Sequence, residues 1–375
     1  MYDLIIIGAG PAGSTSGYVA SLLGLKTLII DFQEFPRFKP CGGGLTIKSL
    51  KLLESLDINI DNIVERYCRK VYLITHSGVY KLVSSEPIIT TISREIFDKY
   101  LLQHALDQGV EFMLDKIVSI ECRGDEVIAR GLRNIYRAKV LIGADGAFSI
   151  TAKSLGNRVC MKDCAIAYMS YVEDSYIDYA ILDFTRIKYG YAWIFPKRNS
   201  LNVGVGSLRR ENYTKVLINY INELNLKSRF IRGYPLPIKP RKIIAYKNII
   251  LTGDAAGFVD PTTGEGIFNA MYSGLIAALC SYKALKLNTK PSSLYLELIK
   301  PLVRNLRLGM YLALGLYIND IQLLSRYFNY SIFSNTNLTL NIVGGKISYV
   351  NVIKRIVKLR GILKQVKSLV LKMVK

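Results

Sequence analysis

Three glycines stand at a spacing that can hold a phosphate: Gly8, Gly10 and Gly13 in the run Gly8-Ala9-Gly10-Pro11-Ala12-Gly13. The first permits a tight turn, and the second lets backbone approach a pyrophosphate. The third lets a helix pack closely on a strand, so that the helix N-terminus faces the phosphate charge. Asp31 ends the next apolar run, where a carboxylate can bond ribose hydroxyls. This group predicts a bound nucleotide and by itself leaves NAD and FAD both open. Two other sets of residues invite chemistry. Cys41 lies in a Gly- and Pro-punctuated loop, Phe35 to Gly44, and is a candidate proton source. Tyr191, Trp193 and Phe195 alternate ahead of Pro196, which puts them on one face of a strand and leaves core packing and an apolar cavity wall both open.

The elements needed to position these residues are legible in outline. Asp3 to Ile7 is a continuous apolar run, as in a buried parallel strand. A helix from Ser14 to Leu23 and a strand from Lys26 to Asp31 complete a βαβ unit around the glycines. Val71 to Val83 alternates about His76-Ser77-Gly78 like a hairpin, and Ser93 is placed to cap a helix running to Gln108. Strand character returns at Lys139 to Ile142, before Gly143-Ala144-Asp145-Gly146, and dominates from Ala165 to Ser207. Pro235, Pro237 and Pro240 predict a linker. A strand at Asn248 to Leu251 then meets Gly253-Asp254, and a long helix follows Gly266. His76 and His104 fall outside every motif.

Three separated segments narrow the reading. Gly8 to Gly13, Leu141 to Ser149 with Asp145, and Leu251 to Gly257 with Asp254 resemble, in order, the fingerprints of FAD-dependent hydroxylase-type flavoproteins. Arg94, in Ser93-Arg94-Glu95-x-Phe97-Asp98, matches the arginine such proteins place near the cofactor phosphate or ribityl chain. Phe35-Pro36-Arg37-Phe38-Lys39-Pro40-Cys41-Gly42-Gly43-Gly44, Asp260-Pro261-Thr262-Thr263-Gly264-Glu265-Gly266-Ile267 and Tyr191-x-Trp193-x-Phe195-Pro196 are similar to segments of geranylgeranyl reductases. The resemblance runs over residues 1–290 and departs at Lys188, where the family's aromatic pattern opens on a proline.

The resemblance implies an α/β (overall α+β) fold: a Rossmann-like, hydroxylase-type FAD domain with an inserted antiparallel β substrate domain and a helical C-terminal region. The expected divisions are 1–70, 86–160 and 243–290 for the flavin domain, 71–85 and 161–242 for the substrate domain, and 291–375 for the C-terminal region. It implies FAD as cofactor, with Asp254 on the ribityl chain and Gly42, Gly43, Gly264, Gly266 and Ile267 near the isoalloxazine ring. It also implies reduction of isoprenoid double bonds, with Tyr191, Trp193, Phe195 and Pro196 lining the substrate cavity. An isolated alkene has no carbonyl to hold an anion, so the workable route is protonation toward a tertiary cation with hydride from reduced flavin. Cys41 and Tyr191 are the candidate proton sources, while Glu265 holds its loop. No second glycine fingerprint is present, so NAD(P)H or a reduced carrier delivers electrons from outside. Rival readings are a quinone side-chain reductase, a flavin monooxygenase or halogenase, and a non-catalytic prenyl-binding escort.

Composition sets the remaining limits. The chain has 375 residues, 50 Lys+Arg against 29 Asp+Glu, and a formal charge of +21. Half the residues are hydrophobic and only 21% charged, which excludes disorder as the main state. Mean hydropathy is +0.22, yet the most apolar run, Ile267 to Tyr282, is broken by Asn269, Ser273 and Gly274. The six cysteines form no Cys-x-x-Cys pair, so no metal site is expected. Ten of the basic residues and no acidic one fall in the last 55 positions. Within 346–375 they interleave with Ile353, Ile356, Val357, Leu363 and Val366, the pattern of a cationic amphipathic helix. The expectation is a cytoplasmic monomer, peripheral at the inner face of an anionic membrane, without nucleic acid as a partner.

Overall fold

The opening apolar run forms the strand Tyr2–Ile7, whose last four residues are buried. In this computed structural model, which describes residues 1–158, 160–173, 177–317, 336–344, 346, 348, 349 and 351, that strand lies inside an eight-stranded sheet. It pairs in parallel with Thr27–Asp31 on one side and Ile135–Gly143 on the other, and the latter pairs in parallel with Ile249–Leu251. Both faces are covered, which is why the strand is apolar at every position rather than every second one. Leu4 and Ile6 pack with residues of the helices Pro11–Leu22, Arg94–Asp107 and Ile267–Leu287. Ile5 and Ile7 pack with Ile117, Ile120, Val127 and Ala129 of an antiparallel hairpin on the other face.

The first helix begins at Pro11 rather than Ser14, because a proline's fixed φ and missing N–H suit the first helical turn. Ser93 occupies the N-cap of Arg94–Asp107 as expected, although its hydroxyl makes no capping bond.

A seven-stranded sheet forms the second layer. Its order is Arg232–Pro237, Cys164–Glu173, Ser200–Ser207, Gly190–Pro196, Ala180–Asp183, Lys70–Thr75 and Gly78–Val83. Two expectations are corrected here. Pro235 and Pro237 belong not to a linker but to an edge strand, paired with Ile166 and Cys164, where a missing N–H leaves no neighbour unsatisfied. The sheet is also not wholly antiparallel. Ala180–Asp183 runs parallel to Lys70–Thr75, because that hairpin enters from a distant part of the chain rather than through a tight turn.

The helices Pro291–Tyr317 and Thr336–Val343 follow. Leu312, Ala313, Tyr317, Ile342 and Tyr349 join Val71, Leu73, Leu82 and Ala180 in one core cluster, so this region packs on the seven-stranded sheet. The expected amphipathic helix lies, from residue 352 onward, outside the described residues. Among the described residues, no helix is long and apolar enough to cross a membrane.

Candidate functional site

A cavity of about 640 Å³ runs between the two sheets. At one end lie Gly8, Gly10, Ala12 and Asp31. Gly8 has φ +98°, and a Cβ there would stand 2.4 Å from the Ala144 carbonyl oxygen. A Cβ on Gly13 would stand 1.8 Å from the Gly8 carbonyl oxygen, so Gly13 serves helix–strand packing and does not line the cavity. Gly10 differs: a Cβ would meet only Arg37 Nη2, at 3.5 Å, so its backbone faces open space. Asp31 accepts the Ala9 and Gln33 N–H groups at 2.7 and 2.9 Å, which fixes its carboxylate at the strand end.

The next stretch is charged. Arg94 donates from Nε and Nη2 to the two oxygens of Asp98 at 2.7 and 2.8 Å, and Arg37 Nη2 reaches Asp98 at 3.2 Å. Asp98 is fully buried, so two guanidinium groups share one carboxylate and leave a net positive charge beside the glycine loop. Burial works against the charge on Arg94, but Asp98 outweighs it and raises the guanidinium further. Lys39 Nζ lies 3.0 Å from the Tyr234 ring centre, and burial pushes it down to about 8 despite nearby Asp254. Asp254 and Asp145 also line the cavity. The Asp145 carboxylate accepts the Ser149 hydroxyl and the Thr151 N–H at 2.5 and 2.9 Å, holding the start of the Ile150–Ser154 helix, and burial raises it.

The far end is built from rings laid on glycines. Trp193 pairs across the sheet with Gly204, where a Cβ would lie 2.1 Å from its ring. Phe195 lies over Gly42 and Gly44, each with a Cβ position 3.0 Å from its ring. Gly43 has φ +65°, and its N–H points at Cys41 Sγ at 3.3 Å. Arg94 also faces that sulfur. Tyr191 donates its hydroxyl to the Thr263 carbonyl at 2.5 Å, and burial pushes this hydroxyl far above the usual phenol range. With its proton committed and its acidity lowered, Tyr191 is a weak proton source and a firm brace for the loop that carries Gly264. Tyr317 braces the same loop through the Thr262 carbonyl, and Tyr349 through Asp260. Glu265 accepts the Thr46 and Ser49 hydroxyls at 2.6 and 3.1 Å and pairs with Lys48 at 2.7 Å, so it holds loop to helix as expected.

The structure therefore brings Cys41, Gly42, Gly43, Arg94, Gly264, Gly266, Ile267, Tyr191, Trp193 and Phe195 to one cavity. Pro196 is corrected: it is buried off the cavity, and its carbonyl accepts the Thr91 hydroxyl at 2.6 Å. The next residue along an alternating strand points to the opposite face from Phe195. Sequence reading missed Arg37, Lys39 and Asp98. Arg37 and Lys39 sat inside a quoted loop, and Asp98 stands four residues after Arg94, the spacing of a helical ion pair. Phe184, Tyr317, Ile342 and Val343 also line the cavity, without any local signal that could have placed them there.

The residues at the glycine end fit FAD. The open face of Gly10 and the surplus charge of Arg37 and Arg94 suit a pyrophosphate, and the glycine-lined middle leaves room for a flat ring.

A family profile described as FAD binding domain matches residues 1–229. An uncharacterized protein of Methanosarcina barkeri is 32% identical over 85% of this chain and 84% of its own length. A digeranylgeranylglycerophospholipid reductase of Methanococcus vannielii is 30% identical over 76% of this chain and 77% of its own. A geranylgeranyl bacteriochlorophyll reductase-like protein from Thermoplasma acidophilum superposes with a TM-score of 0.81 at 24% identity, over 96% of this chain and 99% of that one. A flavin-dependent brominase superposes with a TM-score of 0.76 at 18% identity, over 96% and 100% of the two chains. At these identities the two solved structures establish the fold alone.

Proposed function

Because the chain belongs to the family of FAD-dependent digeranylgeranylglycerophospholipid and geranylgeranyl reductases, we propose that it saturates the isoprenoid double bonds of geranylgeranyl chains in archaeal-type ether phospholipids. One observation carries this reading: the cavity that begins at the dinucleotide glycines continues without a break into an aromatic and aliphatic limb. Phe184, Tyr191, Trp193, Phe195, Tyr317 and Ile342 line that limb, and a prenyl chain gains about 0.8 kcal/mol for each methylene it buries there.

FAD supplies hydride transfer when bound. The protein's residues do the rest. Arg37, Arg94 and the glycine loop would hold the cofactor's phosphates. The apolar limb excludes water, which strengthens electrostatic interactions within it. The faces of Tyr191, Trp193 and Phe195 present π-electron density to positive charge developing on the alkene, worth about 0.5–2 kcal/mol for a desolvated cation. Cys41 Sγ holds the proton for transfer. The Gly43 N–H and Arg94 both face the sulfur and fix its place in the cavity.

The electrons come from NAD(P)H or a reduced carrier. The basic, acid-free last 55 residues support docking on the anionic surface in which such a lipid resides, with the enzyme at the cytoplasmic face of the membrane. The test is anaerobic. Dithionite-reduced enzyme mixed with digeranylgeranylglycerophospholipid is expected to reoxidise its flavin and to add two mass units for each saturated bond. Lipid of unchanged mass would sink the substrate assignment.

A further inference from the structure

The strand Ser200–Ser207 is apolar or glycine at every buried position between its terminal serines except one, Asn202, which has no exposed surface. Both ends of its amide are in use. Oδ1 accepts the Trp193 Nε1–H at 2.8 Å, and Nδ2 donates to the Cys41 carbonyl at 3.2 Å. Trp193 stands on the wall of the lipid limb, while Cys41 opens the glycine loop on the flavin side. The contact between these parts is close at a second point, since a Cβ on Gly42 would lie 3.0 Å from Trp193 Nε1. A leucine would fill the place of Asn202 without needing partners. The amide adds direction: it ties one rotamer of the indole to one placement of the Cys41 carbonyl, and ordering one group restricts the other.

We propose that Asn202 is a positioning residue that makes the aromatic wall and the flavin loop one unit, so that lipid seated against Trp193 tightens FAD binding and FAD equally tightens lipid binding. The proposal rests on the lipid reading above. Reciprocity follows from linkage, because a coupling free energy belongs to both ligands at once.

Trp193 is the only tryptophan, so the wavelength of its emission reports this position alone. The test measures FAD affinity of the apoprotein with and without digeranylgeranylglycerophospholipid in detergent, alongside the Trp193 emission maximum. In the unaltered protein, lipid is expected to lower the Kd for FAD by about five- to tenfold, and FAD alone to shift the emission maximum. Asn202→Asp keeps an acceptor for the indole N–H but loses the donor to Cys41. It is expected to abolish the lipid-induced tightening and the FAD-induced shift. Asn202→Leu severs both arms without burying a charge and is expected to do the same, with cooperative thermal unfolding as the check on folding. Trp193→Phe combined with Asn202→Leu is expected to lose no further coupling.

Retention of the lipid effect in a folded Asn202→Leu protein overturns the proposal. Absence of any lipid effect in the unaltered protein also overturns it. The substrate reading is judged separately, by whether lipid gains mass in the anaerobic assay.

Discussion

The two ends of the cavity are built by opposite means. At the phosphate end, backbone and paired charges do the work: Gly8, Gly10 and Gly13, with Arg37 and Arg94 on Asp98. At the aromatic end, rings abut glycines of other strands and loops, Trp193 on Gly204 and Phe195 on Gly42 and Gly44. A glycine at the first end makes room for a ligand or a helix. At the second it makes room for a side chain, and the ring compensates for the packing a glycine strand lacks. The same residue type is thus required at both ends for different reasons, so loss of it has separable consequences.

Substitutions can break that contrast. The largest effect is expected from Gly13→Ala, whose Cβ would drive into the Gly8 carbonyl at 1.8 Å, a backbone contact that cannot yield. FAD binding is expected to weaken on the order of 100-fold or the protein to purify without flavin, as read by absorbance of the isolated protein. Normal flavin content would refute the packing role. Asp98→Asn comes next. It leaves two guanidiniums without the buried carboxylate they share, and chemical denaturation is expected to show a loss of about 3–5 kcal/mol, together with weaker FAD binding.

Gly204→Ala acts on the other end. Its Cβ would lie 2.1 Å from the Trp193 ring, so the indole must turn off the wall. Lipid saturation is expected to fall about tenfold while flavin bound in the absence of lipid stays at its normal level, the reverse of Gly13→Ala. Equal loss of both would show that the two ends are not separable in this way.

An effect of another kind, on pH dependence, concerns Lys197, which follows the aromatic motif and is buried under Gly43 with its Nζ donating to the Ile92 carbonyl at 2.7 Å. Burial, opposed by Glu65, pushes it from 10.5 to about 8. Between these values the unfolded chain binds more protons than the folded one, so stability rises with pH across this window and is lowest below it. Lys197→Met is expected to flatten that rise in urea melts. Near neutral pH it is expected to gain up to roughly 3 kcal/mol, less the lost Ile92 hydrogen bond. A pH profile identical to that of the unaltered protein would remove Lys197 as the source.

Legibility follows the same division. The phosphate end could be read because its signals are contiguous: a turn, a capping position and an acid at a strand end are short-range requirements on φ and hydrogen bonding. Gly8 to Gly13 and Asp31 needed no partner from afar to be recognised. The lipid end was half legible. Alternation of Tyr191, Trp193 and Phe195 showed a common face, but nothing local says that the face meets Cys41 to Gly44 rather than the solid core. Pro196 shares the motif but not its direction, because the strand's period of two sends it the other way. Asn202, Tyr317 and Tyr349 had no local signature, since a single Asn or Tyr in an apolar stretch gains its meaning only from what it faces.

By itself, the sequence determined the dinucleotide-binding unit, because dinucleotide recognition rests on glycine conformations and strand–helix spacing encoded within a few dozen residues. It also placed the excess positive charge in the last 55 positions. Only the tertiary structure decided that residues near 42, 193 and 204 form one wall, that Arg37 and Arg94 share a buried carboxylate, and that the C-terminal helices pack against the seven-stranded sheet. The physical reason is range. Backbone sterics and helical spacing act between neighbours in the chain, whereas packing, ion pairing and desolvation act between neighbours in space.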